Sequence, residues 1–242
     1  TNAYLLLGDA YCALGKYQEA IRAYQKVLDF ESDNSEAYYG LGGVYECLKE
    51  WQNALIAYQR ALDLNPHFSI AQYKLGLVYK RLHFQKEALK AFERAAKIYL
   101  QITDREPNNP WYYYSLGLTY FELRHYKRAL EAFEQAIRLK PDFVEAYWEA
   151  GNIKFRLHLY REALKSYQQI IRLKPNFTEV HFRIGQTCLR LWRFREALCA
   201  FERVLRLNSD DISAWLGVMV SSLALFRLRD AWRALREACK RT

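Results

Sequence analysis

A chain of 242 residues, 51% hydrophobic and 26% charged, carries enough apolar material for an extended core, and 36 Lys+Arg against 27 Asp+Glu give it a net charge of +9. No apolar run approaches the roughly 20 residues of a membrane-spanning helix, and no secretory leader is visible. Cys12, Cys47, Cys188, Cys199 and Cys239 are odd in number and form no C-x-x-C pair, which argues against a disulfide framework and for free thiols in a reducing, cytoplasmic compartment.

Taken in order, the chain repeats one pattern every 34 residues, with one longer unit. In residues 1–34, Tyr4, Gly8 and Tyr11 fall at helical spacing, Leu14 precedes a short break, and Ala20 and Tyr24 resume the spacing. Apolar positions at three- and four-residue intervals in two runs predict two amphipathic helices joined by a turn. Residues 35–68 repeat this with Leu41-Gly42, Leu48, Ala54 and Tyr58, and Pro66 stops the second helix. Residues 69–109 repeat it with Leu75-Gly76, Leu82, Ala88 and Phe92, but carry seven extra residues around Ala96 to Thr103, ahead of Pro107. Seven residues are about two helical turns, so this second helix is expected to lengthen without rotating its apolar face. Three regular units follow at 110–143, 144–177 and 178–211, carrying Leu116-Gly117, Ala150-Gly151 and Ile184-Gly185, then Ala129, Ala163 and Ala197, then Phe133, Tyr167 and Phe201. Residues 212–242 are worn: Met219 replaces the glycine, Ser222 replaces the aromatic after it, and the second helix is rich in arginine (Arg229, Arg233, Arg236, Arg241). All five prolines fall at unit boundaries.

This recurrence resembles the tetratricopeptide repeat (TPR) family, whose signature W-x2-L-G-x2-Y, then A-x3-F, then Pro recurs about every 34 residues. The resemblance covers the chain in seven units. It implies an all-α fold, a right-handed superhelical solenoid of helix-turn-helix units forming one elongated domain, in which each unit buries its apolar face against its neighbours. Small residues at the eighth and twentieth slots of a unit are expected to let its two helices approach. Aromatics at the fourth, eleventh and twenty-fourth slots are expected to fill the space between pairs. The start at Thr1, on the first slot of a unit and without an initiator methionine, reads as a fragment of a longer protein.

Signatures of catalysis are missing. There is no G-x-x-x-x-G-K-[ST] or G-x-G-x-x-G phosphate loop and no H-E-x-x-H or Cys/His cluster at metal spacing. His83, His125 and His158 sit near the inter-helix turns of successive units, on the order of 10 Å or more apart by helix packing distances, too far to share a metal. Asn176-Phe177-Thr178 forms a glycosylation sequon that reads as a coincidence of a unit boundary. The expectation is a non-catalytic protein with no cofactor and no metal.

Binding is the remaining class. Residues 1–68 hold 5 Lys+Arg and 9 Asp+Glu, whereas residues 69–242 hold 31 and 18, so the later units are expected to favour acidic partners. In the family that the sequence resembles, the second, fifth, ninth, twelfth and thirteenth slots of the first helices line a concave groove. Carried onto this chain, those slots are Tyr39, Tyr73, Leu77, Lys80, Arg81, Trp111, Tyr114, Leu118, Phe121, Trp148, Asn152, Phe155, Arg156, Phe182, Gln186 and Arg190. Such a floor of rings and aliphatic groups studded with cations suits a protein or peptide with apolar anchors and acidic residues. The clamp by which co-chaperone domains grip acidic chaperone tails is disfavoured, because its positions hold Leu5, Asp9, Gly40 and Ile70, and only Lys74 matches. The asparagine ladder of the O-linked sugar transferases is absent: the sixth slots hold Leu6, Gly40, Lys74, Ser115, Glu149, Arg183 and Gly217.

A second surface is expected at the turns of the last two units. There Trp192-Arg193-Phe194-Arg195 and Phe226-Arg227-Leu228-Arg229 alternate apolar side chains with arginine. Phe194 and Leu228 match a usual packing slot and are expected partly in the core. Exposed Trp192 and Phe226 beside Arg193 and Arg227 fit a protein partner, an anionic membrane surface or nucleic acid. The alternative to a peptide-binding scaffold is a basic helical-repeat nucleic-acid-binding module, motivated by the charge of residues 69–242. Self-association through the worn last unit is compatible with either.

Overall fold

A computed structural model describes residues 1–241; Thr242, the end of the last sequence unit, lies outside them. Among the described residues the chain is helical throughout, and two compact units divide it between Ala129 and Leu130.

The first unit holds α1 (Asn2–Ala13), α2 (Tyr17–Phe30), α3 (Ser35–Cys47), α4 (Trp51–Leu64), α5 (Ser69–Arg81), α6 (Gln85–Arg105) and α7 (Pro110–Glu122). Helix α8 (Tyr126–Leu139) contains the boundary, and the second unit continues with α9 (Val144–Arg156), α10 (Tyr160–Leu173), α11 (Thr178–Arg190), α12 (Phe194–Leu207), α13 (Ile212–Ala224) and α14 (Leu228–Cys239). Within the first unit α1 packs on α2, α3 on α4 and α5 on α6; within the second, α9 packs on α10, α11 on α12 and α13 on α14. Each pair also meets the next in its unit, α2 against α3 and α10 against α11 for instance. Helix α6 runs for 21 residues where α2 and α4 run for 14.

The glycine slot works by receiving a ring. A Cβ at Gly8 would lie 2.6 Å from the Tyr24 ring, at Gly76 2.6 Å from Phe92, and at Gly151 2.7 Å from Tyr167. The eighth-slot glycine therefore opens a socket for the twenty-fourth-slot aromatic of its own repeat, which is more specific than the close helix approach expected from the small side chain alone. Gly40 and Gly217, at sixth slots, receive the ring of the preceding repeat: a Cβ would stand 2.5 Å from Tyr24 and 2.7 Å from Phe201 respectively. Tyr24, Tyr58, Phe92, Tyr167 and Phe201 are all buried. In the worn repeat, Met219 fills its own glycine slot and packs partly buried on the last core cluster, while the ring position holds the smaller Leu235.

The first helices α1, α3, α5, α7, α9, α11 and α13 end alike. Gly15, Lys49, His83, Arg124, His158, Trp192 and Phe226 adopt positive φ, between 57° and 71°. The residue after each donates its N–H back across the turn, as Lys16 N to Tyr11 O (2.8 Å), Leu159 N to Lys154 O (2.9 Å) and Arg193 N to Cys188 O (2.9 Å). This is the left-handed C-cap that satisfies the last carbonyls of a helix, and glycine is the residue it suits best. Between repeats, Asn34, Asn109 and Asp211 cap the following helix with their side chains, accepting from Ala37, Trp111 and Ala214 N–H. Phe68 and Phe177 hold the same position without capping, and their rings instead pack on Tyr39 (5.0 Å) and Trp148 (5.7 Å).

Candidate functional site

In the first unit the fifth-slot rings are half core. Tyr39 packs on Tyr58 at 5.8 Å and Tyr73 on Phe92 at 5.7 Å, and burial pushes the Tyr39 hydroxyl pKa up to about 12. Leu77, Tyr114, Leu118 and Phe121 are half-buried, and Trp111 is 51% exposed with its ring edge on Tyr114. The two cations expected here already have partners. Lys80 Nζ lies 2.5 Å from Glu122 Oε2, and the Arg81 guanidinium stands 5.8 Å over the Trp51 ring. Lys74 is likewise tied to Glu46 at 2.8 Å. The first unit thus presents half-buried rings, with Trp111 the more exposed, beside three cations that already have partners.

The second unit differs. Trp148 is sandwiched between Tyr167 (6.0 Å) and Phe177 (5.7 Å), and Phe182 meets Phe201 at 5.5 Å, so these two rings form a fixed and half-exposed floor. Asn152 accepts a hydrogen bond from the Tyr167 hydroxyl at 3.0 Å, which commits its carbonyl inward and leaves its amide NH2 for other partners. Arg183, at the sixth slot of α11, lies across this surface. Its guanidinium stands 5.9 Å from the Phe155 ring centre and donates to Gln186 Oε1 at 3.1 Å.

Two concavities meet at that pair. One, of about 580 Å³, is lined by Phe155, Arg183, Gln186, Leu189, Arg190 and Trp192. The other, of about 650 Å³, includes Trp148, Phe182, Arg183 and Gln186, with Glu179 and Asp211 at its polar side. Arg183 and Gln186 belong to both, so the inner face of α9, α11 and α13 is continuous across them. The arrangement offers two apolar seats on either side of a guanidinium already oriented by a ring and an amide. That arrangement is chemically suited to a carboxylate between hydrophobic anchors. Arg190 is exposed beside it, and Arg156 is exposed at the end of α9.

Sequence reasoning named most of these residues and set Trp192 on a second surface; Trp192 also lines the concavity of Phe155 and Arg190, so it stands where the two surfaces adjoin. The same reasoning omitted Arg183. The available signal was a cation at the sixth slot, a slot read only for the co-chaperone clamp of the first three repeats and for an asparagine ladder. Glu149, also at a sixth slot, is half-buried on α9, and burial raises its carboxyl above the ordinary range.

At the turn edge of the second unit Trp192 is 80% and Phe226 90% exposed, and Arg193 pairs with Glu196 at 2.6 Å. Leu228, expected partly in the core, is 66% exposed. Equivalent positions hold rings that reach the first helix of their own repeat, such as Tyr160 on Phe155 (5.3 Å) and Tyr126 on Phe121 (5.9 Å). In the last repeat both members of that contact are leucines, Leu223 and Leu228, and both are exposed.

A family profile described as TPR repeat matches residues 8–49, and tetratricopeptide repeat profiles match residues 35–68, 68–142, 114–176 and 149–212. No curated protein matches the chain by sequence. Among solved structures it is similar to a chain of the APC/C hetero-tetramer Cut9–Hcn1, at 16% identity and a TM-score of 0.70 over 99% of this chain and 46% of that one. It is similar to Pseudomonas aeruginosa pilF, at 18% identity and a TM-score of 0.68 over 88% of this chain and 94% of the other. It is also similar to YrrB, described as a TPR protein with an unusual peptide-binding site, at 23% identity and a TM-score of 0.57 over 79% and 95% of the two chains. At these identities the likeness carries the all-α helical-repeat solenoid fold and nothing finer.

Proposed function

The chain belongs to the tetratricopeptide repeat family, and from that premise we propose that it is a non-catalytic interaction module whose second unit binds an extended peptide segment of a partner protein. Repeats of this family commonly serve as protein-interaction scaffolds, and the similar YrrB is described by its peptide-binding site. The observation that carries the reading is the Arg183–Gln186 pair shared by two adjoining concavities. A peptide carboxylate meets the guanidinium of Arg183, with Arg190 steering, while apolar side chains of the same peptide seat against Phe155 and Trp192 on one side and Trp148 and Phe182 on the other. Burial of rings in fixed pockets supplies the affinity, and the charge fixes the register.

The test is retention on an array of synthetic peptides that pair acidic residues with aromatic or leucine anchors. The wild-type chain is expected to hold a subset of them, and Arg183→Glu to release that subset while keeping its helical circular dichroism. Equal retention by the two proteins, or retention of no acidic peptide by the wild type, overturns the reading.

A further inference from the structure

We propose that the turn edge of the second unit, led by Trp192 and Phe226, docks on an anionic lipid surface. The two rings occupy the left-handed C-cap positions of α11 and α13, at φ 60° and 57°. A bulky aromatic is a poor choice for that backbone, since the conformation crowds a Cβ and glycine fills it without strain. Gly15 does so at the same slot of the first repeat, and Lys49, His83, Arg124 and His158 fill it elsewhere with polar side chains. Only the last two turns carry apolar rings there, and they leave them 80% and 90% exposed. Strain and exposed apolar area retained together at one place point to an external contact.

Cations flank the rings in sequence. Arg195 and Arg229 follow three residues after the two aromatics, Arg227 follows Phe226 directly, and Arg190 ends α11; all four are exposed, and among the described residues none makes an ion pair. Arg193 is held by Glu196, and Asp230 is the acid in the first turn of α14. Leu228 and Leu223 extend the apolar tip, at 66% and 47% exposure. Exposed rings flanked within three residues by exposed guanidiniums match the chemistry of an anionic bilayer surface, which offers acyl chains to the rings and phosphates to the cations. A partner protein would need a socket for each projecting ring; Trp192 rests its edge on Phe194 at 5.8 Å, whereas Phe226 makes no ring contact among the described residues. No described helix is long and apolar enough to cross a membrane, so the contact is peripheral.

The experiment is co-sedimentation of the whole chain with vesicles of phosphatidylcholine containing phosphatidylserine, and with vesicles of phosphatidylcholine alone. Wild type is expected to partition onto the anionic vesicles, less so as salt rises, and poorly onto the neutral ones. Trp192→Gly/Phe226→Gly should lower partitioning by about tenfold or more, because the rings supply the insertion. Glycine relaxes the backbone at both positions, so this variant is expected to melt no lower than wild type, and a loss of binding cannot be ascribed to unfolding. Arg195→Glu/Arg229→Glu should abolish the preference for phosphatidylserine. Phe226→Gly alone, which leaves both concavities intact, should weaken vesicle binding and leave peptide retention unchanged, which separates this proposal from the peptide site. No partitioning onto anionic vesicles at low salt, or undiminished partitioning of the double glycine variant, overturns it. So does recovery of a protein partner through these rings by a chain that ignores both vesicles.

Discussion

The hydroxyl of Tyr58 is buried without a hydrogen-bond partner, and Gly43 stands where its acceptor would be: a Cβ at Gly43 would lie 3.9 Å from Tyr58 Oη. The other twenty-fourth-slot tyrosines are served by the ninth slot of their own repeat. Tyr24 donates to Asp9 at 2.6 Å and Tyr167 to Asn152 at 3.0 Å. Where the ring is phenylalanine, at 92, 133 and 201, the ninth slot holds Leu77, Leu118 or Gln186. In repeat two the ninth slot offers no side chain, and the acid nearest in charge to the hydroxyl, Glu46, is held by Lys74 at 2.8 Å.

Removing that hydroxyl should therefore help. Tyr58→Phe is expected to raise stability by about 1 kcal/mol, the cost of a buried unsatisfied group, whereas Tyr167→Phe should lower it by about 1 kcal/mol by stripping Asn152 of its donor. Urea denaturation of the two variants against wild type measures both. A loss of stability for Tyr58→Phe matching that of Tyr167→Phe would show that the Tyr58 hydroxyl is satisfied after all.

Two adjacent glycines in α3 should respond with opposite signs. A Cβ on Gly42 would stand 2.5 Å from the buried Tyr58 ring, so Gly42→Ala must displace the ring and should cost about 1–3 kcal/mol. On Gly43 the added methyl meets only the tyrosine oxygen at ordinary distance, so Gly43→Ala should gain about 0.5–1 kcal/mol by restricting the unfolded chain. Thermal melts of the pair decide it, and a shared sign would refute the socket argument.

These cases show how far the sequence was legible. Helix pairs, their turns and the long α6 follow from spacing, because apolar periodicity, prolines and an insertion of two helical turns are local signals. Which ring enters which glycine socket is not local. Gly40 and Gly217 receive rings from the preceding repeat, and no periodicity distinguishes them from ordinary helix glycines. The candidate site shows the same limit. Phe155, Gln186 and Arg190 were reachable through family slots, whereas a cation at the sixth slot marked Arg183 without showing that its guanidinium lies over Phe155, a contact between two repeats. The neutralisation of Lys80 by Glu122, 42 residues away, has no sequence signature.

On the inner face of α9, Glu149 makes no ion pair, and burial raises its carboxyl pKa. A folded-state pKa above the unfolded value means that the folded chain binds more protons between the two. Stability from this group is then full below its ordinary range and is lost as pH rises through the raised value. Glu149→Gln should accordingly melt higher than wild type at pH 7, with the gap closing near pH 4, where the carboxyl is largely protonated in both states. A gap unchanged between those two pH values would mean that desolvation of the carboxylate is not what separates them.

The proposed peptide site makes a further demand on Arg183, because its position depends on Phe155. With the ring present, the guanidinium is held 5.9 Å from the ring centre and bonded to Gln186, so little side-chain freedom remains to be lost on binding. Phe155→Leu keeps apolar volume but removes the face on which the cation rests. It should weaken retention of acidic peptides by about three- to tenfold, about the 0.5–2 kcal/mol of a cation–π contact. Arg183→Lys in the wild-type background should weaken it comparably, because an ammonium neither stacks on the ring nor forks onto a carboxylate. The double variant is the informative one. If ring and guanidinium act as a unit, it binds about as weakly as either single change, and fluorescence anisotropy of one retained peptide against all four proteins measures the coupling directly. Additive losses would mean that Phe155 serves only as an apolar seat for the peptide and that Arg183 needs no ring to hold it.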